Sequence, residues 1–300
     1  MDITAMASGP LTAGDSTPGR IHCAPGGVAR NVAENLARLG HATRLISAVG
    51  DDDFGRALCQ HTQDAGVDLS GLGVWPGQST ATYLSAHGPD GETALAVNDM
   101  RIMDSLTAQW FEDHAGQLSE STCRVVDCNL TSDALAWLAA ASFESPLFVD
   151  GVSAVKCLKL TPYLSQIHTL KVNQHEAQAL SGLPTHTVVA ACAAAVHLQR
   201  SGVRQVVISL GAQGVCWCDA DGVTGYRASR QVTVVNASGA GDALLAGLVH
   251  AHLQGLPLPQ AVEMAMACAE LTLSSTFANC PQLSPSRLQT QLLARHPQLL

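Results

Sequence analysis

The stretch VVNASGAGDALLAGLVHAHL, residues 234–253, carries the pattern from which the fold can be predicted. Its first two residues close a short β-branched run, VTVV (232–235), where we expect a strand. From Ala240 to Leu253 the chain is apolar on nearly all sides until Gly255 ends the segment, which indicates a helix buried on most of its faces. A strand followed directly by a buried helix is typical of proteins in which helices cover a parallel sheet.

The small residues that join this strand to this helix indicate an anion site. Gly239, Ala240 and Gly241 lie at the predicted helix N-terminus, where free backbone N–H groups and the positive end of the helix dipole converge. Asp242 follows in the same first turn, and two interpretations of it stay open. Either its carboxylate only complements the helix dipole, or it is a general base beside an anion hole, which is the pair that phosphoryl transfer to an alcohol needs.

The rest of the chain alternates short β-branched runs with longer helical segments. One helix is predicted over residues 29–39, because Val32, Leu36 and Leu39 recur at helical spacing and Gly40 follows them. The strand-like runs are TRLISAVG (43–50), RVVDCNL (124–130), PLFVDGV (146–152), HTLKVN (168–173) and QVVISLG (205–211). This alternation predicts an α/β fold with a parallel sheet wrapped by helices.

One region interrupts the alternation. Residues 80–97 hold two strand-like runs around the turn residues GPDG (88–91), and residues 8–19 are rich in loop formers. The first pattern predicts a hairpin that projects from the main sheet as a lid. No internal repeat or linker separates the chain into parts, so we expect one domain with a small accessory sheet.

Composition excludes several classes of protein. The chain has 300 residues, of which 47% are hydrophobic and only 14% are charged, with a formal net charge of −9. A disordered chain is excluded by the apolar content, and nucleic acid is not an expected partner because a basic surface is lacking. No apolar run approaches the roughly 18 residues of a membrane span, and the N-terminus does not have the pattern of a secretory signal. We therefore expect a cytoplasmic protein that does not bind membranes.

Familiar cofactor motifs are also absent from the sequence. No lysine follows a glycine, which excludes the usual phosphate-binding loop, and Leu244 occupies the place of the third glycine of a dinucleotide fingerprint. The ten cysteines form no C-x-x-C pair, so we expect reduced and mostly buried thiols. His250 and His252 are two residues apart in a predicted helix and face apart, and no metal caged by protein ligands is expected.

Three separated segments together resemble the ribokinase-like (PfkB) family of carbohydrate and nucleoside kinases. They are PGGVARNVAENLARLG (25–40), NQHE (173–176) and NASGAGD (236–242), and their order and spacing agree with the family's signatures. The resemblance implies a doubly wound, mostly parallel sheet flanked by helices, with a small β lid. It implies a single kinase domain over 1–300, with lid elements near 3–22 and 80–97.

The resemblance also implies an ATP-dependent kinase in which Asp242 takes the proton of the acceptor hydroxyl. Gly239, Ala240 and Gly241 would then form the anion hole for the γ-phosphoryl group. Asn173 and Glu176 would organise Mg²⁺ through water, as expected of a metal that dehydrates reluctantly. The alternative for this pair is a capping box at a helix start.

On the substrate side, the resemblance implies contacts from both ends of the N-terminal segment. Gly26 and Gly27 would let the backbone approach the ligand, Asn31 would bind a ring hydroxyl, and Asp2 would bind the sugar diol. The alternatives are a simple loop for the glycines and a helix cap for Asn31. Asn98 and Asp99, which follow the predicted lid hairpin, are further candidate contacts to ribose or base, or else only start a turn.

On the nucleotide side, the segment SLGAQG resembles the family's strand-end loop near ATP. Ser209, Gly211 and Gly214 are the matching residues, and a strand-to-turn role is their alternative. Asn279 is a candidate for the adenine pocket.

The expected acceptor is a nucleoside. Val28, Ala29 and Arg30 stand where ribokinases carry Lys-Gly-Ala, which favours nucleoside-type members of the family over a plain sugar kinase. The segments GGVARNVAENLARLG (26–40), AVNDM (96–100), FVDGVSAVK (148–156) and NASGAGDALLAGL (236–248) resemble members that phosphorylate the 5′-hydroxyl of pseudouridine, and this resemblance implies pseudouridine as the acceptor. Ribose or another riboside is the alternative substrate, and a catalytically weak nucleoside-binding relic is the alternative class. A homodimer formed through the lid is expected as well.

Members of the family begin with a central β-strand ahead of the residue that matches Asp2. The sequence here starts at Met1. We therefore expect the first central strand to be missing from the chain, which would leave two neighbouring strands with unpaired backbone groups.

Overall fold

A computed structural model of the protein describes residues 1–12 and 14–295. The predicted kinase domain extends to residue 300, and residues 13 and 296–300 lie outside the described part. The strands are β1 Asp2–Ala7, β2 Gly19–Ala24, β3 Arg44–Gly50, β4 Asp68–Trp75, β5 Thr82–His87, β6 Thr93–Asp99, β7 Arg124–Asp127, β8 Leu147–Asp150, β9 Thr169–Asn173, β10 Gln205–Ser209, β11 Val215–Cys218 and β12 Thr224–Arg227. The helices are α1 Val28–Arg38, α2 Asp53–Asp64, α3 Ala108–Asp113, α4 Ala115–Ser119, α5 Ser132–Ala140, α6 Gln174–Ser181, α7 Val188–Arg200, α8 Ala240–Leu253, α9 Leu258–Leu273 and α10 Pro285–Arg295. Short 3₁₀ segments cover Arg101–Ser105, Lys156–Gln166 and Gly211–Gln213.

The main sheet has six strands in the order β12-β11-β10-β9-β8-β7. Strands β7 to β10 are parallel, and β11 and β12 continue the sheet antiparallel. A separate parallel pair is formed by β3 and β4. The predicted α/β fold is confirmed. Each strand-like run of the alternating region forms a parallel strand, and helical segments connect these strands along the chain.

One predicted strand is wrong. Residues 232–235 form no strand, and Val234 and Val235 are exposed. Their β-branched composition favours a strand, but the segment meets the end of α9 rather than a sheet edge, where the Val235 N–H donates to the Leu273 carbonyl at 2.8 Å. A strand needs a neighbouring ladder, and the tertiary position does not provide one.

The two predicted helices are confirmed. Helix α1 ends before Gly40, whose φ of +89° is the left-handed conformation that favours glycine after a helix. Helix α8 is buried without interruption from Asp242 to Ala251. It packs closely against α9, since a Cβ on Gly247 would lie 2.5 Å from the Cα of Ala265.

A second sheet has four strands in the order β2-β1-β5-β6, and its β5–β6 pair is the predicted hairpin. Side chains alternate between its two faces. Asp2, Tyr83 and Asn98 are paired side by side across β1, β5 and β6, so they share one face. The neighbouring row presents Ile3, Leu84 and Val97 on the opposite face.

The two parallel sheets do not join. Among the described residues, β3 pairs only with β4, and β7 pairs only with β8. Helix α1 packs against both β3 and β7 and so spans the gap between them. The β3–β4 pair and the six-stranded main sheet are therefore separate sheets that share the cover of α1.

No helix within the described ranges is both long and apolar enough to cross a membrane. All ten cysteines are free thiols, and six of them are buried, as the sequence predicts.

Candidate active site

The turn before α8 has the geometry that the sequence predicts. Gly239 has a φ of +77°, and a Cβ at this position would lie 1.9 Å from the Ala278 carbonyl oxygen. Only glycine fits there. Ala240 and Gly241 begin the helix, so their backbone N–H groups have no partner within it. The structure therefore places the three half-buried residues at the positive end of a helix, which suits an anion.

Asp242 lies in the first turn of α8 and is 9% exposed. Its Oδ2 accepts a hydrogen bond from Nδ2 of Asn31 at 2.7 Å. Burial raises the pKa of Asp242 to about 7, the Asp150 carboxylate adds to this rise, and Lys171 and the Asn31 hydrogen bond oppose it. A carboxylate with a pKa near the working pH is suited to accept a proton.

A row of charged residues that the sequence analysis did not single out lies next to this turn. Asp127, Asp150 and Lys171 are paired side by side on β7, β8 and β9. Nζ of Lys171 donates to Oδ2 of Asp150 at 2.8 Å, and both side chains are buried. A Cβ on Gly241 would lie only 2.7 Å from Nζ of Lys171. The ammonium group therefore contacts the predicted anion hole directly.

Lys171 keeps its charge in this position. Burial by itself lowers the pKa of Lys171, but the Asp150 and Asp242 carboxylates outweigh it and raise the pKa above its usual value. Burial raises the pKa of Asp127, whose Oδ2 accepts from the backbone N–H of Ala29 at the start of α1. The site thus combines the fixed positive charge of Lys171 with two carboxyl groups, Asp127 and Asp242, whose pKa values are raised.

A signal for this row was present in the sequence. The runs RVVD and LFVD each end in an aspartate after apolar residues, and TLKVN carries a lysine between two apolar residues. Ligands of open α/β sheets bind outside the carboxyl ends of the strands, and a charge in a buried strand needs a partner. The register that brings the three together could not be read from the sequence.

The N-terminal signature forms the other side of the site. A Cβ on Gly26 would lie 2.3 Å from Oδ2 of Asp2, so the Asp2 carboxylate rests directly on this loop. Gly27 has a φ of +102° and precedes α1. Burial raises the pKa of Asp2, although Arg30 opposes the rise. The structure brings together Asp2, Gly26, Gly27 and Asn31, as expected from the sequence.

Arg30 holds this side of the site in place. Its guanidinium donates to the Gly26 carbonyl at 3.0 Å, to Oε2 of Glu34 at 2.7 Å, and to the amide oxygen of Asn31. Because Arg30 binds the amide oxygen of Asn31, the NH₂ group of Asn31 faces Asp242. Asn279 joins the same network, accepting from Arg30 at 2.8 Å and donating to the Asn31 carbonyl at 2.8 Å. The structure therefore places Asn279 with α1, where both ends of its amide are occupied.

The accessory sheet supplies two further side chains to this side. Tyr83 and Asn98 lie on the same face of the sheet as Asp2, and Tyr83 was not singled out from the sequence. Asp99 alternates to the other face, where its Oδ2 accepts a hydrogen bond from Nη2 of Arg101 at 2.6 Å, and this partner lowers the pKa of Asp99 to about 2. The structure does not bring Asp99 together with Asp2.

The nucleotide-side candidates lie at the end of β10. Ser209 is paired with Asn173 at the end of the neighbouring strand β9. Gly211 and Gly214 have φ values of +57° and +117° in the turn that follows, and a Cβ on Gly214 would lie 2.0 Å from the Arg227 carbonyl oxygen. The three residues therefore form the strand-to-turn connection, and the pairing of β9 with β10 sets Ser209 beside Asn173.

Asn173 and Glu176 form the capping box at the start of α6. The Asn173 side chain accepts from the Glu176 N–H at 3.0 Å, and Glu176 Oε2 accepts from the Asn173 N–H at 2.9 Å. Burial raises the pKa of Glu176, and the nearby Asp150 carboxylate adds to the rise. Within residues 1–12 and 14–295, no three His, Cys, Asp or Glu side chains converge as metal ligands. These oxygen donors fit a Mg²⁺ ion that keeps most of its waters and phosphate ligands.

Comparison with known proteins gives the class and the family. The sequence model for "pfkB family carbohydrate kinase" matches residues 1–283. The chain is 38% identical over 284 residues to the pseudouridine kinase of Escherichia coli K12, covering 95% of this chain and 91% of that protein. It is equally 38% identical over 284 residues to an uncharacterized sugar kinase of the same bacterium, covering 95% and 78%.

The fold agrees with this match. The structure of Arabidopsis thaliana ribokinase complexed with ribose and ATP superposes with a TM-score of 0.86 at 19% identity, covering 97% of this chain and 95% of that one. The protein is thus an ATP-dependent kinase of sugar or nucleoside alcohols. It belongs to the pfkB family of carbohydrate kinases.

Proposed function

We propose that this protein transfers the γ-phosphoryl group of ATP to the 5′-hydroxyl of a nucleoside, and that the nucleoside is pseudouridine. The observation that carries the reaction type is the Asp242 carboxylate, buried beside the α8 N-terminus and held by Asn31 at 2.7 Å. The substrate is supported by the 38% identity to a pseudouridine kinase over nearly the whole chain.

In the proposed reaction, Asp242 accepts the proton of the 5′-hydroxyl. The freed oxygen forms a bond to the γ-phosphorus as the bond to the bridging oxygen of ADP breaks, so the products are ADP and the nucleoside 5′-phosphate. Gly239, Ala240 and Gly241 donate backbone N–H groups to the transferred phosphoryl oxygens. Lys171 lies against Gly241 and adds a positive charge to the same place.

We propose that the reaction requires Mg²⁺. When bound to the phosphates it neutralises negative charge on the nucleotide. Asn173 and Glu176 would hold it through water, because their side chains are already hydrogen-bonded to each other's backbone in the capping box. The nucleotide would be contacted from the neighbouring strand end by Ser209, Gly211 and Gly214. Asn279 is hydrogen-bonded to Arg30, so we propose that it supports the position of Arg30 and does not contact adenine.

We assign the nucleoside to the opposite side of the site. Asp2 and Asn31 would bind the ribose hydroxyls, and Gly26 and Gly27 would let the loop approach the ring. Tyr83 and Asn98 share the face of Asp2, so they would contact the base. Asp99 lies on the opposite face, bound to Arg101, and we assign it no contact to the substrate. Hydrogen bonds to both hydroxyls would reject analogues that lack them.

We propose two roles for the four-stranded accessory sheet, one in covering the site and one in forming a dimer. The sheet β2-β1-β5-β6 would act as the lid of a single kinase domain, with its polar face toward the substrate. Its other face exposes Ile21, Leu95 and Val97 at 75%, 56% and 55%. An exposed apolar sheet face favours association, and a second copy with the same face makes a closed, two-fold pair. We therefore propose a homodimer through the lid, in the cytoplasm.

Ribose or another riboside is the alternative substrate. It is supported by an uncharacterized sugar kinase, to which the chain is also 38% identical. A panel of pseudouridine, uridine, adenosine, inosine and ribose, with Mg²⁺ and ATP and scored for ADP release, separates the cases. We expect pseudouridine to give the highest kcat/KM and its 5′-phosphate by mass spectrometry. Preference for ribose over every nucleoside would reject the substrate.

The Asp242→Asn protein is the matched control for contaminating kinases in this panel. If no substrate gives turnover above that control while nucleosides still bind, the protein is the weakly active relic and the proposed reaction is wrong.

A further inference from the structure

Helix α1 carries a buried carboxylate about one turn beyond Asn31. Glu34 is 1% exposed. Its Oε2 accepts from Nη1 of Arg30 at 2.7 Å, and its Oε1 accepts from Nη2 of Arg38 at 2.7 Å. Burial by itself raises the pKa of Glu34, but the two arginines outweigh it and lower the pKa below its usual value. Glu34 is therefore a fixed negative charge held by two arginines.

Arg30 connects this carboxylate to the candidate active site. Its guanidinium also donates to the Gly26 carbonyl through Nε at 3.0 Å, and its Nη2 donates to the amide oxygens of Asn31 and Asn279. The N–H groups of a guanidinium form a rigid planar fork. Because all three of its nitrogens have acceptors, the group cannot rotate without breaking several hydrogen bonds at once.

The Asn31 amide could face Asp242 in two orientations. Its two ends have nearly the same size, but one accepts a hydrogen bond and the other donates. The NH₂ end faces Asp242 and donates to Oδ2 at 2.7 Å, which favours the ionised carboxylate. The oxygen end would instead accept from protonated Asp242 and favour the form that cannot act as a base. Arg30 selects the first orientation, because its charged group binds the amide oxygen.

The other groups that act on Asp242 are charged and lie on different elements. Burial is the main cause of the raised pKa of Asp242, Asp150 and Asp127 add to the rise, and Lys171 opposes it. Helix α9 also packs against α8, and its acidic residues bind Arg295 of α10; they are Glu263 and Glu270. The contribution of α1 to the proton affinity of Asp242 is therefore the orientation of the Asn31 amide.

We propose that Glu34 and Arg30 are positioning residues for phosphoryl transfer: the Glu34 carboxylate holds the guanidinium, and the guanidinium holds the Asn31 amide with its NH₂ group toward Asp242. Neither residue touches the reacting atoms. They act by keeping Asp242 in its proton-accepting form. The inference rests on the proposed role of Asp242 as the general base.

Arg30→Met tests the orientation, because methionine keeps an apolar stem and removes every donor. The Asp242 carboxyl is titrated by NMR without substrates, in protein labelled with ¹³C aspartate, and its resonance is assigned by its absence from Asp242→Asn. We expect the midpoint to rise by about one pH unit, roughly the effect of one hydrogen bond to a charged group. At pH 7 this shift lowers the ionised fraction of Asp242, and kcat with it, by about 5-fold.

A double-mutant cycle with Asn31→Ala separates action through the amide from a general loss of structure. Asn31→Ala should raise the midpoint by a similar amount, and Arg30→Met should add nothing in that background. An unchanged midpoint in Arg30→Met, or a second full shift in the double variant, would overturn the proposal.

Arg38→Met is the matched control. Arg38 lies on the same helix and binds the same carboxylate, but its Nη1 donates to the Pro281 carbonyl at 2.9 Å. Both arginine variants should melt at a lower temperature, since each removes a partner of a buried carboxylate. Only Arg30→Met should change the midpoint and kcat. An equal shift in Arg38→Met would show that a nearby positive charge is sufficient, and the orientation would not be the cause.

Glu34→Gln removes the charge that holds Arg30 but leaves an oxygen that can accept from it. We expect a smaller rise in the midpoint and a lower melting temperature, because Arg30 loses its counter-charge. The double variant with Arg30→Met carries neither charge and covers the case in which Glu34→Gln does not fold. Its midpoint should equal that of Arg30→Met, and a further rise would reject the role of Glu34.

The titration and the turnover fail separately. Unchanged kcat in Asp242→Asn would reject the general base, whereas the Arg30→Met titration would still show whether Arg30 orients Asn31. If Asp242→Asn is inactive and Arg30→Met shifts the titration but not the pH profile of kcat, the positioning role in the reaction is overturned.

Discussion

The amide nitrogen Nδ2 of Asn31 lies 2.7 Å from Oδ2 of Asp242, a residue 211 positions further along the chain. The orientation of the amide is fixed, because Arg30 donates to its oxygen. This contact joins the N-terminal signature to the helix that carries the proposed base. A change in Asn31 therefore alters the proton affinity of Asp242 as well as any contact to a substrate.

Asp242→Asn is expected to lower kcat by 10²- to 10⁴-fold, which is the usual effect of losing a general base. The same substitution should raise the stability of the folded protein. The folded-state pKa of Asp242 is about 7, above the ordinary 3.8, so its favourable contribution is present at low pH and is lost as the pH rises through 7. The asparagine variant should melt at a higher temperature than the parent at pH 8.

Asp133→Asn is the matched control, since Asp133 is an exposed acidic residue in the first turn of α5. It should lose only about 0.3 to 1 kcal/mol of stability and keep normal turnover. If Asp242→Asn behaves in the same way, helix-dipole complementarity is the whole role of Asp242 and the proposed mechanism is wrong.

The pH dependence of kcat/KM should show an acid limb with an apparent pKa near 7, because protonated Asp242 cannot accept the substrate proton. Asn31→Ala removes a hydrogen bond that lowers the pKa of Asp242, so the limb should move to higher pH. Initial rates from pH 5 to 9 measure both profiles. A limb near pH 4 in the parent would show that another group, or an unperturbed carboxylate, controls the reaction.

Lys171→Met is expected to lower kcat by about 10²- to 10³-fold, since it removes a positive charge from the anion hole. It also leaves Asp150 buried without its partner, which destabilises the fold. The double variant with Asp150→Asn separates these effects, because it replaces the buried pair by neutral groups.

We expect the double variant to recover most of the lost melting temperature and none of the lost turnover. Lys171→Arg should keep more activity than Lys171→Met. If the double variant recovers turnover together with stability, Lys171 has only a structural role.

The dimer through the lid predicts that Leu95→Asp and Val97→Asp give monomers. Both side chains are more than half exposed on the apolar face of the lid sheet, and a charge there cannot be buried against a second copy without a partner. Sedimentation velocity at micromolar concentration measures the outcome. Val189→Asp, which changes a still more exposed valine on α7, should leave the dimer intact, and a monomeric parent would reject the proposal.

Much of the fold could be predicted from the sequence because its signals are local. The apolar periodicity of α1 and α8, the glycine after α1 and the turn residues of the β5–β6 hairpin depend on neighbours a few positions away. The same holds for Gly239, whose positive φ follows from a turn before a helix. Where a strand depended on a partner, as at residues 232–235, composition alone gave the wrong prediction.

The local pattern of residues was enough to indicate a helix N-terminus that suits a phosphoryl group, with Asp242 in its first turn. The packing of distant segments brought Asn31 to within 2.7 Å of Asp242 and set the charges that surround them. The register of β7, β8 and β9 places Asp127, Asp150 and Lys171 in one row. The burial of Asp242 itself, together with the nearby Asp150 carboxylate, raises the pKa of Asp242. Strand register and desolvation are set by contacts between segments far apart in the chain, and a one-residue shift would move every side chain to the other face.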